Sequence, residues 1–145
     1  MAYCTITNLK KIIDESTLLR MADDTGSAPD LDDAAVAAVI EEAIEQADTE
    51  IDSYLAARYT LPLSLVPIII TRLSARMAVY YLTLRRDRPR DEKWEAVYKR
   101  AVEMLTHISK GTISLNAPLI QADSAERPKP CMVTISSKFS KWRAF

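Results

Sequence analysis

The sequence predicts a mainly α protein, with short N-terminal helices, three main helices and an extended C-terminal arm. Three observations carry this reading. Apolar residues recur at three-and-four spacing through three long stretches. Prolines and a basic, proline-broken run separate those stretches. After residue 115 the helical period stops and the composition changes.

The first helix is expected to start at Thr7 as N-cap and run through Ile13, burying Leu9, Ile12 and Ile13. A second short turn, Ser16 to Met21, precedes a loop at 23–30 that holds Asp23, Asp24, Gly26 and Pro29. The loop lacks the alternating oxygen ligands and closing Glu of a calcium-binding EF-hand. From Asp32 or Asp33 as N-cap, Val36, Val39, Ile40, Ala43, Ile44, Ala47, Ile51, Tyr54, Leu55 and Arg58 follow one helical face. Glu41, Glu42, Glu45, Asp48, Glu50 and Asp52 are placed opposite, as a solvated or partner-facing acidic surface.

Pro62 biases Leu61 away from helical backbone, so Tyr59 to Leu63 should be extended. Pro67 then suits the first turn of the next helix, where its missing N–H costs nothing. That helix, Pro67 to Arg86, is apolar around much of its circumference and should be central. Arg72 and Arg76 lie one turn apart on it and could pair with the acidic helix. A third helix from Asp91 to Ser109 buries Trp94, Val97, Tyr98, Ala101, Val102, Leu105 and Ile108, and Gly111 caps it. Residues 116–130 hold three prolines and read as a linker. In the final stretch Val133 and Ile135 have strand propensity, while Phe139, Trp142 and Phe145 recur every three residues among basic side chains. Such an arm is suited to ordering on a partner.

Charge is lopsided although the net charge is only −1. Residues 1–58 hold thirteen Asp/Glu against four Lys/Arg, whereas residues 59–90 hold six Arg against one Asp. Opposite signs on one chain can pair within the fold or between neighbouring copies. The basic corner Arg85–Arg90 could also hold phosphate, which leaves an accessory DNA-binding helical module as an alternative reading.

Catalysis finds little support in the residues. The glycines Gly26 and Gly111 fall in a loop and a cap, so there is no phosphate-cradling loop. His107, in the last turn of its helix, has no Cys or carboxylate cluster in register and reads as a surface or capping residue. Cys4 and Cys131 form no metal-ligand spacing, and an intracellular reading disfavours a disulfide between them. No apolar run approaches the roughly 20 residues of a bilayer span, and the polar N-terminus is not read as a secretory signal. The expectation is a non-enzymatic module with no cofactor and no membrane contact.

Particular residues carry a family resemblance. They are Tyr3-Cys4-Thr5 with Leu9, Asp23-Asp24, Ala47-Asp48, Ile51-Asp52-Ser53-Tyr54-Leu55, and the core signature Arg58-Tyr59-Thr60-Leu61-Pro62-Leu63 with Pro67. Arg85-Arg86, Tyr98, Leu105, Gly111 and Leu115 continue the match. Over residues 3–115 the chain resembles a Mu-like bacteriophage protein family similar to head–tail adaptor, or connector, proteins. The segment after 116 departs from the pattern.

The resemblance implies a small antiparallel helical bundle over residues 1–115, with 116–145 as an extended arm. It implies a structural connector of a tailed phage or prophage, located in the virion neck after assembly in the host cytoplasm. Such adaptors form a homo-oligomeric ring, commonly a dodecamer, under the portal protein. The ring extends a channel through which packaged DNA passes non-specifically, and it docks neck or tail-completion proteins. On this reading Arg72, Arg76, Arg85, Arg86 and Arg88 face a neighbouring subunit or the channel. Val133, Ile135, Phe139, Trp142 and Phe145 would form the portal-binding arm, and Arg58, Tyr59, Leu61, Pro62 and Leu63 the assembly corner.

Overall fold

Five helices account for the regular structure of the described residues, 2–24, 26, 30–85 and 91–119 of the computed structural model. They are α1 (Ile6–Lys10), α2 (Glu15–Ala22), α3 (Ala34–Leu55), α4 (Ile68–Leu84) and α5 (Glu92–Ser109). The chain is thus mainly α, a small helical bundle as expected. α4 is its centre and packs against all four other helices. Its interior positions explain this: Ile70, Leu73, Ala75, Met77, Ala78, Val79 and Leu82 are all buried.

The N-terminal expectation needs correction. α1 starts after Thr5, whose carbonyl accepts from the Asn8 and Leu9 N–H groups, so Thr7 lies inside the helix. Helix also stops at Lys10, which leaves Ile12 outside the buried stripe and 37% exposed while Leu9 and Ile13 stay buried. The reason is a long-range anchor. Tyr3 and Cys4 are buried, and the Tyr3 N–H donates to Asp48 Oδ2 at 2.8 Å.

Side-chain caps fix the other starts. Asp14 accepts from the Thr17 N–H at 3.0 Å before α2, which is slightly longer than the expected Ser16–Met21 turn. Asp33, not Asp32, caps α3 by accepting from the Ala35 N–H at 2.9 Å. Asp91 does the same for α5 through the Lys93 N–H at 3.0 Å. Each satisfies one of the donors that a helix start leaves without a partner. Pro67 is the N-cap of α4, one position earlier than expected, and its carbonyl accepts from the Ile70 N–H at 2.9 Å.

The link between α3 and α4 turns inward. Tyr59 and Leu63 are almost fully buried, and the Leu61–Pro62 peptide is cis. Tyr59 pairs in antiparallel sense with Leu119, and the Thr60 N–H donates to the Pro118 carbonyl at 3.3 Å. The Tyr59 hydroxyl accepts from the Leu115 N–H at 2.9 Å. The strand-like segment after α5 therefore closes over this link. Gly111 makes the approach feasible: its φ is +78°, and a Cβ there would fall 1.7 Å from Arg58 Nη1. Only glycine tolerates both the left-handed backbone and the guanidinium beside it.

Candidate assembly surfaces

Three of the acidic residues assigned to the open face of α3 are structural instead: Asp48, Glu50, and Asp52, which accepts from the Tyr3 hydroxyl. Asp48 is buried, accepting from the Tyr3 N–H and from the Ser74 hydroxyl of α4. Glu50 accepts from the Tyr81 hydroxyl of α4 and, at 2.8 Å, from the Tyr98 hydroxyl of α5. Tyr80 stacks on Tyr98 with ring centroids 4.3 Å apart, so one carboxylate and three tyrosines tie α3, α4 and α5 together. Burial first, then the Glu50 hydrogen bond, pushes the Tyr98 phenol up to about 12, and the same causes raise Tyr81. Both phenols stay protonated as donors to the carboxylate. The helical register carried a signal for Asp48, four residues after Ile44 and three before Ile51.

Asp48 gives the fold a pH dependence. Burial is the largest cause and raises its carboxyl above the ordinary value, against the lowering by Ser74 and the Tyr3 N–H. The folded chain therefore holds this proton more tightly than the unfolded chain. Its contribution to stability falls as pH rises from the ordinary Asp value of about 4 through the raised folded value. Asp48→Asn should gain stability relative to the parent across that interval, measured by urea unfolding at several pH values. A difference that is constant, or that shrinks as pH rises, would contradict the assignment.

The acids that do remain open are Glu41, Glu42 and Glu45 on α3. Among the described residues none of their carboxylates has an ion-pair partner, and α3 itself contains no Lys or Arg. Glu41 and Glu45 border a groove of about 620 Å³ between the N-terminal segment and α3, with Cys4, Ile6, Ile44 and Asp52 also lining it. Burial pushes the Cys4 thiol there up to about 11, so it is a poor nucleophile at neutral pH. Among the described residues, no three His, Cys, Asp or Glu side chains converge as a metal-binding group.

The arginines sort into different groups. Arg72 and Arg76 are exposed on α4 and, among the described residues, have no ion-pair partner. Arg85 instead donates from Nη2 to Asp24 Oδ2 at 2.8 Å, tying the end of α4 to the first loop of the same chain. Arg86 and Arg88 lie outside the described residues, as do Val133, Ile135, Phe139, Trp142 and Phe145. Of the corner residues, Tyr59 and Leu63 face the core, Leu61 packs partly against it, and Pro62 is exposed. Arg58 is half-buried, and its Nε is buried without a hydrogen-bond partner among the described residues. Leu65 and Ile68, at the start of α4, are apolar yet 68% and 72% exposed. Sequence patterning did not single them out as open.

Comparison with known proteins now adds to this geometry. The family model described as Bacteriophage Mu, Gp36 matches residues 3–133, so the family pattern continues well past residue 116, against the expected departure there. The Mu-like prophage FluMu protein gp36 of Haemophilus influenzae is 38% identical over 90 residues, covering 61% of this chain and 57% of the relative. Gene product J of Escherichia phage Mu is 33% identical over 92 residues, covering 63% of this chain and 61% of the relative. The alignments thus span about three fifths of each relative's length. Among the described residues, no helix is long and apolar enough to cross a membrane. With a family match over most of its length, this chain is a phage protein belonging to the bacteriophage Mu Gp36 family.

Proposed function

We propose that this chain is a structural head–tail connector of a tailed phage, not an enzyme. It forms a ring under the portal, in the neck of the virion, after assembly in the host cytoplasm. The ring extends the DNA channel and gives neck or tail-completion proteins a surface on which to dock. One observation carries the reading beyond family membership. Charge of opposite sign, without an ion-pair partner among the described residues, stands on two different helices of one small bundle, Glu41, Glu42 and Glu45 on α3 against Arg72 and Arg76 on α4. A closed ring requires two unlike patches on each copy.

The DNA-binding alternative loses support at Arg85, which is held by Asp24 within the chain. Residues 116–145 would act as the arm that reaches the portal, with Val133, Ile135, Phe139, Trp142 and Phe145 as its anchors. Mixing the chain with the portal protein of its own phage should give a complex carrying a ring of copies. The free chain should leave duplex DNA unshifted. Removing residues 130–145 should abolish portal attachment while the helical circular dichroism persists. A free chain that shifts DNA steeply with salt and ignores the portal would refute the connector reading. Attachment retained after the deletion would refute the role of the arm.

A further inference from the structure

α4 is the central helix, yet one stripe of it reaches the surface. Ile68, Arg72 and Arg76 follow each other at four-residue intervals, and all three are exposed. Leu65, just before the helix, is also exposed and extends the apolar end of the stripe. Arg72 and Arg76 are one turn apart, roughly 6 Å along the axis. Neither is neutralised by the described part of its own chain. On α3 Glu41 and Glu45 are also one turn apart, exposed and, among the described residues, without an ion-pair partner. The two helices thus carry matching pairs of opposite sign at the same spacing.

We infer that the Ile68–Arg72–Arg76 stripe of one copy docks on the Glu41–Glu45 face of the next copy, and that this contact closes the ring. The inference rests on the connector reading. Arg85 takes no part in it, because Asp24 already holds that side chain. A second copy fits the stripe better than nucleic acid does. Two arginines beside the exposed Leu65 and Ile68 make a mixed apolar and basic surface, whereas a phosphate-tracking face is dominated by charge. The exposed apolar side chains would supply burial, and the ion pairs would set partner and register.

Charge exchange tests this with full-length chains bound to the portal, read by native mass spectrometry and electron microscopy. Circular dichroism of each variant checks folding, which these exposed positions should leave intact. Arg72→Glu with Arg76→Glu makes both faces acidic, and Glu41→Lys with Glu45→Lys makes both basic. Each double variant alone should lose the closed ring. An equimolar mixture of the two should restore it, because acidic and basic copies can alternate. Joining all four changes in one chain should restore it as well. Ile68→Asp should weaken the ring without affecting the arm's hold on the portal.

Rings that form equally well with either double variant would overturn the interface while leaving the connector reading in place. Loss in both variants without rescue by mixing would overturn the pairing. Intact rings that lose only DNA retention on reversal of Arg72 and Arg76 would assign the stripe to the channel instead. A parent chain that forms no ring on the portal would remove the connector reading itself.

Discussion

Replacing Tyr59 with Ala will lower the unfolding free energy by about 3–5 kcal/mol, the range for emptying a buried aromatic site. The side chain is only 1% exposed, and its removal would take packing from the point where α3, the link to α4 and the segment after α5 meet. Tyr59→Phe separates packing from hydrogen bonding. It keeps the ring but leaves the buried Leu115 N–H without the hydroxyl that accepts from it, so it should cost about 1–3 kcal/mol. Urea unfolding of the two variants gives both terms. Equal losses would mean that the hydroxyl, not the ring, fastens the closing segment. A loss below about 1 kcal/mol for Tyr59→Ala would show that the site collapses freely, against the burial observed here.

Glu50→Ala should be the next most damaging of the single changes, by about 2–3 kcal/mol. Two tyrosine hydroxyls from different helices lose one shared anionic acceptor, and hydrogen bonds to a charged group contribute about 1.5–3 kcal/mol each. The cluster is only partly buried, so water recovers some of that loss. Glu50→Gln keeps an acceptor oxygen and should lose less than Glu50→Ala. A double-mutant cycle with Tyr81→Phe should give a coupling clearly different from zero, since the two groups touch. Strict additivity would show that Glu50 acts as one more exposed carboxylate.

That last outcome is what the sequence alone suggested, and the difference is instructive. Residue type places every acid of α3 on a polar face, but burial is decided by partners far along the chain. Asp48 meets Tyr3, 45 residues before it, and Glu50 meets Tyr98, 48 residues after it. Periodicity names neither partner, although the register of Asp48 between Ile44 and Ile51 does mark it for burial. It does report what repeats locally, so the three main helices, the central place of α4 and the capping Gly111 could all be read in advance. The same limit explains α1, whose start is set by the anchoring of Tyr3 and Cys4 and not by the capping preference of Thr7.

The candidate surfaces were legible in a similar, partial way. Arg72 and Arg76 stand out because a largely apolar helix carries two cations one turn apart. Arg85 looked equivalent to them, and only the fold reveals its bond to Asp24. In the sequence the Arg58–Leu63 stretch is a conformationally restricted junction between two helical patterns. In the structure much of it is internal, with Tyr59 and Leu63 buried and the segment at 115–119 fastened onto it. The exposure of Leu65 and Ile68 is not legible in the sequence, because an apolar residue at a helix start ordinarily belongs to the core.

Imaging the neck of the assembled particle by electron cryomicroscopy tests the connector role most directly. The predicted result is a closed ring of copies of this chain between portal and tail, with α4 of each copy against α3 of the next. A neck that lacks this chain, or that holds it as isolated copies making no contact with one another, would contradict that role.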